Sequence, residues 1–218
     1  MSHFEQLANA TVISHLDSDL GLLAITGIDS AKFLQGQLTC NLQDITPQQS
    51  RLGAHCTHKG RMVASFRLLQ TAEHSYLFAL PKTTLEALQT SLAKYIVFSK
   101  AKLNNTTNDY ALRGISGTDA AALVENIFGN APNTLHAQHN SEQGMVICVN
   151  AQAPRFLCII PQQHISSIDN ALSKSAQTTD GHYWHALDIR DGLGAVYAET
   201  IEEFIPQMLN LQLLDGIS

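Results

Sequence analysis

Between Arg61 and Leu69 the chain alternates with a period of two. Met62, Ala64, Phe66 and Leu68 fall on one side, and Arg61, Val63, Ser65 and Arg67 on the other. That is the signature of a β-strand with two unlike faces. A polar turn at Thr71–His74 leads back through Ser75–Leu80, so the two runs predict a hairpin. The period then becomes helical: Leu85, Leu88 and Leu92 share one face, and Thr83-x-x-Glu86 has the spacing of a capping box at the helix start. Eighty positions on, Phe156–Pro161 echoes Tyr76–Pro81, and Ile165, Ile168 and Leu172 repeat the same helical stripe.

A second echo precedes the first. Ile25-Thr26-Gly27-Ile28-Asp29 returns 90 positions later as Ile115-Ser116-Gly117-Thr118-Asp119, each time ahead of adjacent apolar residues, Phe33/Leu34 and Leu123/Val124. Glycine accepts a backbone angle other residues resist, and the aspartate is placed to cap free N–H groups, so each copy predicts a strand-to-helix turn. Two echoes in the same order predict an internal duplication. The first half reads as strand Leu20–Ile28, helix Ser30–Cys40, a loop over Thr46–Lys59, the hairpin, a helix, and a strand over Tyr95–Leu103. The second reads as strand Tyr110–Ser116, helix Asp119–Phe128, a polar loop over Gly129–Gln143, hairpin Met145–Val149/Arg155–Ile160, helix Gln162–Lys174 and a closing strand Tyr183–Asp191. Each half is β-α-β-β-α-β, the split order of ferredoxin-like units, and the class is α+β with two mixed or antiparallel sheets. The Asn/Thr run Asn104–Asn108 predicts a linker between domains 1–108 and 109–218.

Charge narrows the range of functions. The net charge of −6 divides into +2 for residues 1–108 and −8 for residues 109–218. An acidic chain without clustered Lys and Arg is not built for direct, non-specific nucleic-acid binding. No apolar run nears the ~20 residues of a membrane span, and the N-terminus lacks a signal-peptide pattern, which predicts a cytoplasmic protein without a membrane partner. Cys40, Cys56, Cys148 and Cys158 show no Cys-x-x-Cys spacing and read as reduced thiols, with Cys148 and Cys158 on adjoining strands.

Candidate chemistry is sparse. Trp184 is the single tryptophan and opens the predicted closing strand; by itself it reads as a core aromatic with its N–H satisfied. Arg61 and Arg67 on one strand face point either to a groove or to solvent. His55-Cys56-x-His58, His136-x-x-His139 and His182-x-x-His185 suggest metal ligands, but a strand would turn the last pair to opposite faces and the others lack a fourth ligand, so no metal is expected.

Several runs together resemble one family. Ile25-Thr26-Gly27 with Phe33-Leu34-Gln35-Gly36-Gln37-Leu38-Thr39, His55-Cys56, Lys59-Gly60-Arg61-Met62, Lys94-Tyr95-Ile96-Val97-Phe98-Ser99-Lys100, and Phe204-Ile205-Pro206-Gln207 through Gly216-Ile217-Ser218 are similar to YgfZ. That family is a folate-binding relative of the glycine-cleavage T-protein. The resemblance implies a tetrahydrofolate cofactor, a role in maturing or repairing iron–sulfur client enzymes, and through them in tRNA modification. It places the family's Lys-Gly-Cys-Tyr-x-Gly-Gln-Glu signature within a few residues after Ser218 and implies a C-terminal barrel domain, neither of which this sequence contains. By position it makes Trp184 and Leu20 folate-site residues, Leu20 standing where the family has a second tryptophan. Arg190 stands where the family has a glutamate, with Asp191 beside it, and Arg61 and Arg67 are the cations offered to the ligand. The T-protein places an aspartate on the strand matched here by Gly60–Arg67, which has no carboxylate. The expectation is a folate-binding accessory protein; the alternatives are an aminomethyltransferase with a relocated acid and a folate-independent scaffold.

Overall fold

The computed structural model describes Leu7 and residues 10–218. The chain divides into two units: Asp19–Thr107 with Gly192–Ser218, and Asn108–Asp191 with the described residues up to Ser18. Strand β1 (Val12–His15) belongs to the latter.

The first unit runs β2 (Leu20–Thr26), α1 (Ser30–Gln35), β3 (Arg51–Cys56), β4 (Met62–Ala72), β5 (Ser75–Pro81), α2 (Leu85–Ile96) and β6 (Lys102–Asn105). Its sheet has the order β3-β4-β5-β2-β6, every neighbour antiparallel. The alternation in β4 works as expected on one side: Ala64, Phe66 and Leu68 join Tyr76, Phe78 and Leu80 of β5 and Leu23 and Ile25 of β2 beneath Leu85, Leu88 and Leu92 of α2. Phe66 and Phe78 meet edge to face with centroids 4.8 Å apart. Each fully buried leucine here contributes about 1.5–3 kcal/mol. The other side departs from expectation, because Val63, Ser65 and Arg67 are also buried. Part of the cover is the 192–218 segment, whose Val196 N–H donates to Ser65 Oγ at 2.8 Å and whose Val196 and Leu211 pack on Ala54 and Met62.

The second unit runs β7 (Tyr110–Ser116), α3 (Ala120–Phe128), β8 (Gln138–Ser141), β9 (Gly144–Asn150), β10 (Arg155–Pro161), α4 (Ile165–Leu172), β11 (Gln177–Thr179) and α5 (Gly181–Arg190). Its sheet order is β11-β1-β7-β10-β9-β8. Read from the other edge, β8-β9-β10-β7 repeats β3-β4-β5-β2, and β11 takes the place of β6 with β1 inserted before it. The duplicated glycines carry the duplication down to backbone detail. Gly27 has φ 133° and Gly117 φ 110°, and a Cβ at either would stand within 2.2 Å of a carbonyl oxygen, Lys100 O or Ala10 O. Only glycine fits both the angle and the approach.

Several expectations are corrected. Each half contains one more strand than β-α-β-β-α-β: β3 and β8 occupy the stretches read as loops. Helix α1 stops at Gln35, α2 continues through Ile96, and β6 begins only at Lys102. Thr83 makes no capping box; its hydroxyl accepts from Ala198 N–H instead. Neither Asp29 nor Asp119 caps its helix through its side chain, and Asp29 Oδ2 accepts from Lys100 N–H at 2.7 Å, tying the turn to the approach of β6. The units exchange the chain ends relative to a 1–108/109–218 division, because β1 pairs with β7 and β11 while residues 192–218 bond to β4. Tyr183–Asp191 is not a strand but lies in helix α5 and its C-terminal cap. Among the described residues no helix is long and apolar enough to cross a membrane.

Candidate ligand site around Trp184

Helix α5 starts at Asp180, whose side chain accepts from His182 N–H at 3.0 Å and so caps one free donor. Its buried residues Tyr183, Trp184 and Leu187 follow the three-to-four spacing of one helix face. Trp184 is 5% exposed. Its benzo edge lies against Gly114 of β7, where a Cβ would come within 2.2 Å of Cε3, so the strand opens a place for the ring by omitting a side chain. The guanidinium of Arg155, from the start of β10, sits over the indole at 4.2 Å from the ring centroid, a cation–π contact.

Arg155 is 1% exposed, and its charge is met by two carboxylates of the same helix end. Nη2 donates to Asp188, and Nη1 donates to Asp191 Oδ2 at 2.8 Å. Asn150 Nδ2 donates to Asp191 Oδ2 at 2.9 Å, and Arg190 Nε to Asp191 Oδ1 at 3.2 Å. Burial opposes the charge on Asp191, yet the Asn150 amide and the two guanidinium groups outweigh it and hold the carboxyl below its ordinary range. Arg155 Nε is buried with no hydrogen-bond partner among the described residues. Arg155 also lines a cavity of about 200 Å³, walled by Gly117, Pro154, Tyr183, Leu187 and Arg190 among others. Burial pushes the Tyr183 phenol up, against the pull of Arg190, Arg155 and Ser116.

Three of the candidate residues therefore come together: Trp184, Arg190 and Asp191, on one helix and its cap. The other three lie in the first unit. Leu20 opens β2 opposite Pro81 and is half-buried. Arg61 precedes β4, is exposed, and donates to the Glu203 carbonyl. Arg67 lies inside β4, 6% exposed, with Nη1 donating to Ser50 Oγ at 3.2 Å. The expected shared face of Arg61 and Arg67 does not exist, because β4 starts after Arg61 and its second face is covered. Arg155 and Asp188 were missed; no local pattern pairs a strand arginine with a helix more than thirty residues on. Gly114, an isolated glycine inside an apolar strand, was the available signal.

Burial pushes Cys40 up to about 11 and also raises Cys56 and Cys158. None of the four cysteines is joined in a disulfide. His182 and His185 share a helix face rather than opposing strand faces, but no group of three His, Cys, Asp or Glu among the described residues is arranged to hold a metal ion.

The architecture is that of a duplicated α+β domain with two sheets and a caged indole. The family model for the GCVT N-terminal domain matches residues 9–155, well over half the chain, and the protein belongs to that family. Among solved structures, the glycine cleavage system aminomethyltransferase T of Bartonella henselae matches with TM-score 0.70 at 14% identity, over 81% of this chain and 49% of that one. The heterotetrameric sarcosine oxidase of Corynebacterium sp. U-96 matches with TM-score 0.48 at 11% identity, over 77% of this chain and 86% of that one. The chain thus spans about half the length of the aminomethyltransferase, and the likeness at that identity is one of fold.

Proposed function

We propose that this protein is a tetrahydrofolate-binding accessory protein of the YgfZ type. It serves the maturation or repair of iron–sulfur enzymes, and through them tRNA modification, rather than one-carbon transfer. Membership of the GCVT N-terminal-domain family supports a folate ligand. The observation that carries the reading is Arg155, which lies over the indole, leaves its buried Nε without a hydrogen-bond partner among the described residues, and lines a cavity. A buried donor left unmet costs about 1–3 kcal/mol, which a ligand acceptor would recover. The two guanidinium charges of Arg155 and Arg190 are already balanced by Asp188 and Asp191, so the acceptor that fits is a neutral carbonyl, as at the amide-like edge of a pterin or the benzoyl amide of folate.

The cavity of about 200 Å³ is smaller than the ~300–1,000 Å³ of sites that enclose drug-sized ligands, so it takes one end of folate and leaves the rest outside. Folate bound there would supply a one-carbon carrier. The protein's residues would bind and orient it: Arg155 donating, Tyr183 and Leu187 forming an apolar wall, Arg190 at the rim. Strand β4 carries no Asp or Glu from Met62 to Ala72, which argues against a proton-transfer step of the T-protein kind at that strand.

The test uses the lone tryptophan. Titration with tetrahydrofolate should give a saturable change in Trp184 emission, while incubation with an aminomethyl donor should form no methylenetetrahydrofolate. Product formation would favour an aminomethyltransferase with a relocated acid. No saturable change, together with no tetrahydrofolate retained in gel filtration, would favour a folate-independent scaffold.

A further inference from the structure

A second cavity, of about 470 Å³, lies in the first unit between α2 and the 201–202 stretch, lined by Thr57, Glu86, Thr90, Ser91, Lys94 and Glu202 among others. None of its lining residues belongs to the Trp184 site. Behind its wall is His55, 3% exposed, at the bulge where β3 shifts register against β4. The ring is held at both nitrogens. Nδ1 is 2.8 Å from the Gln37 carbonyl, and Nε2 is 2.8 Å from Ser91 Oγ. A carbonyl only accepts, so Nδ1 carries the proton. In the neutral ring Nε2 is then bare and accepts the Ser91 hydroxyl.

This ordering is that of an activated nucleophile: a hydroxyl bonded to an imidazole, and the imidazole fixed in the required tautomer by a third group. Burial, helped by Lys94 and opposed by the Gln37 bond, holds His55 below its ordinary range, so the resting ring is neutral at neutral pH. Merely satisfying a buried imidazole would not require an open cavity. Here the donor is half-buried, and Ser91 lines the cavity together with Lys94, one helical turn further on.

We infer that this cavity is an acyl-transfer site for small esters or thioesters, with Ser91 as nucleophile, His55 as general base and Lys94 as the cation facing the developing oxyanion. Ser91 Oγ forms a bond to the acyl carbon while its proton passes to His55 Nε2. The bond from the acyl carbon to the alcohol or thiol breaks, and the same proton leaves on that group. Water then attacks acyl-Ser91, gives a proton to Nε2, and the serine departs by taking it back, releasing the carboxylic acid. Glu86 and Glu202 at the rim favour a neutral or cationic leaving group over an anionic one.

The experiment treats the full chain with an alkyl fluorophosphonate and locates the adduct by peptide mass spectrometry. The expected result is a single adduct on Ser91, absent in Ser91→Ala. Labelling should slow about 100-fold or more in His55→Gln, and about tenfold or more in Lys94→Met. Lys94 is exposed, so its variant keeps the test valid should His55→Gln fail to fold. Ser91→Ala should also abolish p-nitrophenyl acetate hydrolysis and leave Trp184 emission unchanged. No adduct, an adduct elsewhere, or a labelling rate indifferent to Lys94 would overturn the inference.

Discussion

The contact between Gly114 and Trp184 gives the sharpest mutational prediction. A methyl group at position 114 would stand 2.2 Å from Trp184 Cε3 and 2.5 Å from Cζ3, where ordinary carbon contacts lie near 3.5–4.0 Å. The ring would have to move by about 1 Å or more, against an Arg155 guanidinium pinned by Asp188 and Asp191. Overpacking of this kind costs about 1–3 kcal/mol, and a lost cation–π contact adds about 0.5–2 kcal/mol, so Gly114→Ala is expected to destabilise by about 2–4 kcal/mol. For a cooperative unit of about 100 residues that lowers Tm by about 10 °C or more. Urea unfolding followed by circular dichroism measures the loss. The emission of the lone tryptophan reports the local event, a shift to longer wavelength before global unfolding. Gly36→Ala is the control, since Gly36 has φ −85° and its added methyl would meet nothing nearer than 3.6 Å. A Gly114→Ala protein with unchanged midpoint and unchanged emission would refute the caged-indole geometry.

The duplicated turns should respond alike: Gly27→Ala and Gly117→Ala each combine positive φ with a carbonyl within 2.2 Å of the new methyl, and each is expected to cost about 2 kcal/mol or more by urea denaturation. Arg155→Met keeps the apolar stem but leaves Asp188 and Asp191 without their shared cation, and should cost about 3–5 kcal/mol in the same assay. The carboxyl of Asp191 is held below its ordinary value of 3.8, so the unfolded chain binds that proton first as pH falls. Its contribution is fully present above the ordinary value and is lost as pH drops through the lowered one; a plot of Tm against pH should show a shallower acid limb in Asp191→Asn than in the parent.

The parts of the fold that could be read in advance were those with a local physical cause. Thr/Ser-Gly-x-Asp marked both turns because positive φ selects glycine, and the β4–β5 and β9–β10 hairpins followed from apolar alternation. Strands β3 and β8 were missed because Arg51, His55 and Gln138–Ser141 are polar; the ladder with β4 or β9 stabilises them, not their own pattern. Helix α5 was mistaken for a strand because Tyr183, Trp184, Ala186, Leu187 and Ile189 crowd a short run, although Asp180-Gly181 offered an N-terminal cap. Of the site, Trp184, Arg190 and Asp191 were singled out, through the family resemblance, but not their organisation. That depends on Arg155, whose partner carboxylates lie 33 and 36 residues away and which no periodicity connects.

Equilibrium dialysis of radiolabelled tetrahydrofolate, with the parent protein and Arg190→Glu run side by side, tests the central claim most directly. Retention of about one equivalent by the parent, with at least tenfold weaker retention by Arg190→Glu, is the predicted result. Retention no greater than that of a protein-free chamber, or equal retention by both proteins, would contradict folate binding at this site.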